Sequence, residues 1–326
     1  MNALVTGASG FTGGHLARWL ADRGVAVRAL VRDRRRAAGL QHEQIDIVDG
    51  DLKDPESLYR AASGVRVIYN IAALYRTVGL PASEYRAVNV EGVAALITAA
   101  ARAGVRRVVH CSTVGVHGDV EHPPANEDAP LRPGDVYQRT KVEGEQVARE
   151  IATRAGVQLV IARPSGIYGP GDRRLFKLFG AIARGRFIML GAGRVFYHLT
   201  FIDDLCEGLR LCGIVRAAAG RTYILAGGEV TTLNELVEIT AEVAGVRRRV
   251  WRLPVWPVWL AGALCEAACR PLRIEPPLYR RRVDFFTKSR AFDITRARQE
   301  LGFDPKVGLR EGIRRTVEWY REQGWI

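Results

Sequence analysis

The chain of 326 residues is 48% hydrophobic and 25% charged, which excludes a disordered or fibrous protein and leaves room for one large domain or two closely joined ones. Its five cysteines form no CxxC pair and no histidine cluster accompanies Cys265 and Cys269, so neither a metal site nor a disulfide framework is expected, only buried thiols in a reducing compartment. The net charge of +13 points to anionic partners; without zinc-ligand spacing or aromatic-interleaved basic motifs, nucleic acid is disfavoured against a phosphorylated cofactor or an anionic membrane.

The first residues already read as a strand running into a glycine turn, so a cytoplasmic chain with no cleavable leader is expected. Short apolar runs predict strands over 3–6, 26–31, 45–48, 67–71, 107–112 and 159–163. Apolar residues at helical spacing predict helices over 13–23, 55–62, 89–103 and 136–155. This alternation implies an α/β fold, a doubly wound parallel sheet of Rossmann type with helices on both faces. Beyond Pro170 the rhythm breaks, prolines gather between Leu253 and Pro277, and helical patterns dominate. Residues 1–168 are therefore assigned to a nucleotide-binding domain, with 195–226 returning to it, and 169–326 to a smaller, mainly helical substrate lobe. The longest apolar run, 253–265, holds two prolines and falls short of the roughly 20 residues that span a bilayer.

The segment Thr6-Gly7-Ala8-Ser9-Gly10-Phe11-Thr12-Gly13-Gly14 joins the first strand to the first helix. Glycines allow a tight turn and close approach of a pyrophosphate, and the helix N-terminus offers free N–H groups to its oxygens. Three glycines alone are a weak signal; between a strand and a helix they indicate a dinucleotide. The second strand ends Leu30-Val31-Arg32-Asp33, followed by Arg34, Arg35 and Arg36. Arg32 and its neighbours suit a 2′-phosphate, so NADP(H) is favoured, while Asp33 keeps NAD(H) open. Asp51, after the third strand, either accepts from an adenine amino group or is a loop aspartate capping the helix that begins near Asp54.

Tyr137 and Lys141 lie one helical turn apart and face the same way. Moving a tyrosine from its ordinary pKa of about 10 to near 7 takes roughly 4 kcal/mol. A lysine ammonium about 4–5 Å away supplies that order at an effective dielectric near 20. A hydroxyl from Thr113, with Ser112 as the fallback, leaves the fifth strand where open parallel sheets bind ligands and can hold the reacting oxygen. A Tyr-x-x-x-Lys pair is common on exposed helices; behind a glycine turn and a Ser-Thr strand end it reads as catalytic. His117 and His198 read as packed or surface histidines.

Taken together, TGASGFTGG at 6–14, GDL at 50–52, NIAA at 70–73, NVEG at 89–92, CSTVGVHG at 111–118, YQRTK at 137–141, RPSGIYGPGD at 163–172 and FIDD at 201–204 resemble the extended class of the short-chain dehydrogenase/reductase superfamily. The resemblance covers nearly the whole chain. It implies a Rossmann domain, a C-terminal substrate lobe, usually a homodimer, and a catalytic set of Thr113, Tyr137 and Lys141. It carries cofactor contacts onto Gly7, Ser9, Gly10, Phe11, Thr12, Gly13, Arg32, Asp51, Leu52, Ala72, Ala73, Tyr137, Lys141 and Pro164, and substrate contacts onto Tyr75, Gly166 and Tyr197. Sugar-nucleotide 4-epimerases typically have asparagine where Gly166 stands, and an arginine-bearing segment where this chain has Val195-Phe196-Tyr197-His198-Leu199. Both departures make the chain look more like the 3β-hydroxysteroid dehydrogenase and dihydroflavonol reductase branch. The reading is an oxidoreductase interconverting a secondary alcohol and a ketone on a largely apolar, sterol- or isoprenoid-like molecule. Alternatives are an epimerase or dehydratase with the same residues, or a non-catalytic NADP-binding regulator, which the intact Tyr137–Lys141 pair argues against.

Trp251, Trp256 and Trp259 lie in an apolar stretch flanked by Arg247, Arg248, Arg249, Arg270 and Arg273, with Arg280, Arg281 and Arg282 further on. Packing of these tryptophans inside the lobe, along the substrate pocket, is the preferred expectation. Peripheral contact of 250–273 with the inner membrane surface is the other.

Overall fold

The computed structural model describes residues 2–77, 79–246, 250–272 and 283–326. The first half runs β1 (Asn2–Thr6), α1 (Phe11–Ala21), β2 (Ala26–Val31), β3 (Ile45–Asp49), α2 (Pro55–Ala62), β4 (Val67–Asn70), α3 (Ala82–Arg86), α4 (Gly92–Arg102), β5 (Arg107–Cys111), α5 (Val136–Ala155) and β6 (Gln158–Pro164). The second half runs β7 (Gly166–Tyr168), α6 (Phe176–Ala183), β8 (Ile188–Leu190), β9 (Phe196–Phe201), α7 (Ile202–Ile214), β10 (Thr222–Leu225), β11 (Val230–Thr232), α8 (Leu233–Val243), β12 (Trp251–Leu253), α9 (Val255–Leu272), α10 (Asp284–Thr287), α11 (Thr295–Leu301) and α12 (Leu309–Glu322).

Seven parallel strands form the central sheet in the order β10-β6-β5-β4-β1-β2-β3. β4 and β5 are buried along their whole length, because helices cover both faces and leave no side chain in water. β10 adds to β6 with Thr222 opposite Ile161, so the segment 195–226 contributes a strand to the sheet. β9 of the same segment joins β7 and β11 in a separate three-stranded sheet. The expected bounds of β2, α2 and α5 coincide with those found. The helix expected over 89–103 instead starts as α3, passes through one wide turn at Ala87–Glu91, and continues as α4. The Asn89 side chain in that turn accepts from Leu74 N at 2.8 Å and donates to Leu74 O and to Thr140 Oγ1, both at 3.1 Å. It thereby fixes the loop after β4 against α5.

One buried polar cluster ties α5, β6 and β10. Arg163 on β6 donates to both carboxylate oxygens of Glu145 on α5 at 3.0 and 2.6 Å, and both side chains are almost wholly excluded from water. The same guanidinium donates to Glu127 O at 3.0 Å, and Glu127 Oε1 accepts from Ile224 N on β10 at 2.8 Å. His117 packs here too, with Nε2 3.2 Å from Arg163 Nη1. Substituting Arg163→Leu strands the Glu145 charge and should cost about 3–5 kcal/mol of stability. The double variant Arg163→Leu/Glu145→Leu should recover most of it, as read by chemical denaturation.

Candidate active site

A cleft of about 1140 Å³ opens at the C-terminal ends of the central strands, where strand order reverses between β1 and β4. All the residues assigned to cofactor, substrate or chemistry line it except Lys141: Gly7, Ser9, Gly10, Phe11, Thr12, Gly13, Arg32, Asp51, Leu52, Ala72, Ala73, Tyr75, Ser112, Thr113, Tyr137, Pro164, Gly166 and Tyr197.

The turn after β1 is built on close backbone approach. Gly7 takes a left-handed φ of +66°, and a Cβ there would lie 2.8 Å from the Ala72 backbone. A Cβ on Gly13 would lie 2.3 Å from the Gly7 carbonyl oxygen. No side chain caps α1, and its first turn holds no acid, so its N–H groups face the cleft without a competing negative charge. This cradle fits a pyrophosphate. At the outer end, Arg32 and Arg36 line the cleft. Asp33 is occupied elsewhere, accepting from Arg35 N at 3.0 Å and from Arg35 Nε and Nη2 at 3.0 and 3.1 Å. Asp51 accepts from Lys53 N at 3.0 Å while Asp54 caps α2, so the capping role belongs to Asp54 and the Asp51 carboxylate borders the cleft.

Lys141 departs from expectation. Its buried ammonium donates to Cys111 O at 2.8 Å and lies 3.4 Å from His110 Nε2. His110 Nδ1 meets the Asn70 amide at 3.1 Å, Asn70 Oδ1 accepts from Thr6 Oγ1 at 2.8 Å, and Thr6 Oγ1 accepts from Ala72 N at 3.1 Å. A buried polar chain thus runs from the end of β1 to the lysine. Burial and the Lys141 charge hold His110 well below the ordinary histidine range, so its ring is neutral. Burial also pushes the lysine itself down.

Tyr137 sits in the first turn of α5, which Asp135 caps by accepting from Gln138 N at 2.7 Å. Burial pushes its phenol up, helped by the Cys111 thiol and the Tyr75 phenol; the Arg76 and Arg174 guanidiniums pull it down. Sequence reasoning missed these two arginines, which oppose burial at the Tyr137 phenol without reversing its upward direction. Arg76 lies 5.8 Å from the Tyr137 ring centre and pairs with Asp135 at 3.0 Å. Arg174 pairs with Asp172 at 3.0 Å and lies over the Tyr75 ring, which meets Tyr137 edge-on at 4.9 Å. Thr113 Oγ1 accepts from Gly115 N at 3.0 Å, which leaves its own O–H free to donate. Ser112 Oγ and Ser165 Oγ are buried without a partner among the described residues, and both residues line the cleft. Such orphaned hydroxyls mark where a bound molecule completes the site. His198 is a packed residue, its Nε2 2.7 Å from Gly227 O.

Replacing Gly13 with alanine should weaken NAD(P)H binding at least tenfold, because the new methyl group must displace the turn that holds the pyrophosphate. Titration of nicotinamide fluorescence, with circular dichroism as the folding control, measures this.

Residues 3–225 match the NAD dependent epimerase/dehydratase family. The chain is 32% identical to sterol demethylase protein B of Methylococcus capsulatus, over 100% of both chains. It is 30% identical to a 4-hydroxy-2-methyl-3-oxo-4-farnesyl-3,4-dihydroquinoline-1-oxide ketoreductase of Stigmatella aurantiaca, over 96% of this chain and 95% of the other. Among solved structures, the dTDP-glucose 4,6-dehydratase DesIV of Streptomyces venezuelae, with NAD bound, superposes with a TM-score of 0.79 at 28% identity, covering 100% of this chain and 98% of DesIV. With its seven-stranded parallel sheet and its glycine turn at the strand reversal, the chain belongs to the NAD dependent epimerase/dehydratase family, enzymes of the extended short-chain dehydrogenase/reductase class.

Proposed function

We propose that the protein is an NADP(H)-using oxidoreductase that interconverts a ketone and a secondary alcohol on a largely apolar molecule of sterol or isoprenoid type. The observation that carries this reading is the apolar part of the cleft lining, Ile167, Leu175, Leu199, Trp259, Phe285 and Phe292. Three cations of the lining are matched by acids, Arg76 by Asp135, Arg174 by Asp172 and Lys288 by Asp284 at 3.3 Å, while Arg290, 6.0 Å from the Tyr197 ring centre, has no acid partner among the described residues. The sterol- and farnesyl-named relatives support an apolar substrate.

A reduced nicotinamide held by the Gly7–Gly13 turn would supply the hydride for the carbonyl carbon. Thr113 O–H donates to the carbonyl oxygen and Tyr137 gives that oxygen its proton. A buried phenol pushed above its ordinary range keeps this proton at neutral pH, the form that reduction needs. Lys141 holds the end of β5 through Cys111 O and would hold the ribose of a bound cofactor. Arg32 and Arg36 have no carboxylate partner among the described residues and favour a 2′-phosphate.

Tyr137→Phe should lower ketone reduction by about 10²–10⁴-fold while NADPH binding stays unchanged; full activity in that variant would sink the mechanism. Arg32→Ala/Arg36→Ala should weaken NADPH roughly ten- to a hundredfold and leave NADH alone, as measured by parallel titrations. Assay of the supernatant from freshly denatured protein separates the second reading. Near-stoichiometric retained NAD(H) favours an epimerase that recycles its cofactor; empty protein favours an exchanging reductase.

A further inference from the structure

Large apolar side chains stand in solvent at one place more than any other. β12 pairs in register with β8, Trp251 opposite Ile188 and Leu253 opposite Leu190. Ile188, Trp251 and Leu253 are exposed, Trp251 by 77%. The chain then turns directly into α9, whose outer face carries Trp256, Leu260 and Leu264 at a spacing of four residues, exposed by 68%, 45% and 63%. Trp251 and Trp256 therefore correct the expectation that these tryptophans pack inside the lobe. Trp259, half-exposed, also lines the cleft, so α9 is at once a wall of the substrate site and an apolar outer surface.

Charge decides what covers this face. Arg186 and Arg194 stand in solvent on the β8 segment, Arg252 on the ribbon donates to Asn234 Oδ1 at 2.8 Å, and neither 184–198 nor 246–265 contains an acidic residue. Arg247, Arg248, Arg249, Arg273, Arg280, Arg281 and Arg282, and the side chain of Arg270, lie outside the described residues and add to the sequence's local positive charge only as sequence. In a twofold dimer the same patch meets itself, so arginines would face arginines. An anionic lipid surface satisfies both the apolar side chains and the surrounding cations, and tryptophan and arginine suit the headgroup boundary. No helix among the described residues is long and apolar enough to cross a membrane.

We propose that the β8–β12 ribbon and the outer face of α9 dock peripherally on an anionic lipid bilayer. Docking stands independently of the substrate reading; entry of an apolar substrate past α9 directly from the lipid rests on it.

The test uses the full chain and vesicles of phosphatidylglycerol or of phosphatidylcholine. The protein should sediment with the anionic vesicles, less so at high salt, and brominated phosphatidylglycerol should quench its tryptophan fluorescence. Trp256→Asp/Leu264→Asp should weaken sedimentation tenfold or more with NADPH binding unchanged. The quenching experiment needs no variant, so it decides the matter even where the double substitution unfolds. The proposal fails if the native protein stays in the supernatant at low salt, if vesicles bind without quenching, or if the double variant binds equally well. It also fails if these substitutions instead split a dimer that has no affinity for vesicles, which assigns the face to a second copy.

Discussion

The distance between three stretches of backbone governs the site. Gly7, Gly13 and Ala72, two residues beyond β4, approach so closely that no side chain fits between them. That contact places the start of α1 beside the end of β4, and hence sets how wide the cleft is where the strand order reverses. The polar chain from Thr6 through Asn70 and His110 to Lys141 follows the same strand ends, so the lysine's position depends on the same approach. A shift at the turn would be felt along the row of strand ends and not only at the pyrophosphate.

The sheet and the glycine turn were readable because they depend on short-range pattern. Strands covered on both faces leave unbroken apolar runs, and the turn's glycines stand together in sequence. Tyr137 and Lys141 were readable because helical spacing puts them on one side. The electrostatics around them was not. Arg76 and Arg174 are separated by almost a hundred residues in the chain and are gathered only by the fold, with Asp135 and Asp172 to hold them. His110 lies inside an apolar strand and gives no signal of its own. Burial of Tyr137 is a sum over contacts from β5, the loop after β4 and α5, and no local window contains that sum.

The exposed tryptophans show the limit from the other direction. Composition suggested an interior because large aromatic rings are costly to leave in water. The register of two short strands settles their side: Trp251 opposes Ile188, and both face out. A short ribbon is too weak a pattern to be assigned a face from sequence, although it determines what the whole lobe presents to its surroundings.

The last strand of the central sheet has a consequence for how the chain comes off the ribosome. β10 lies more than fifty residues beyond β6, which it covers, and α7, which packs on β4, β5 and β6, is made just before it. Until then β6 has an open edge, and the arginine at position 163 lacks the Glu127 anchor that Ile224 fixes. A nascent chain ending near residue 168 would expose an apolar strand with its backbone unpaired, the kind of edge that recruits other strands. The central sheet cannot then mature in chain order; β6 must wait for the returning segment that brings β10.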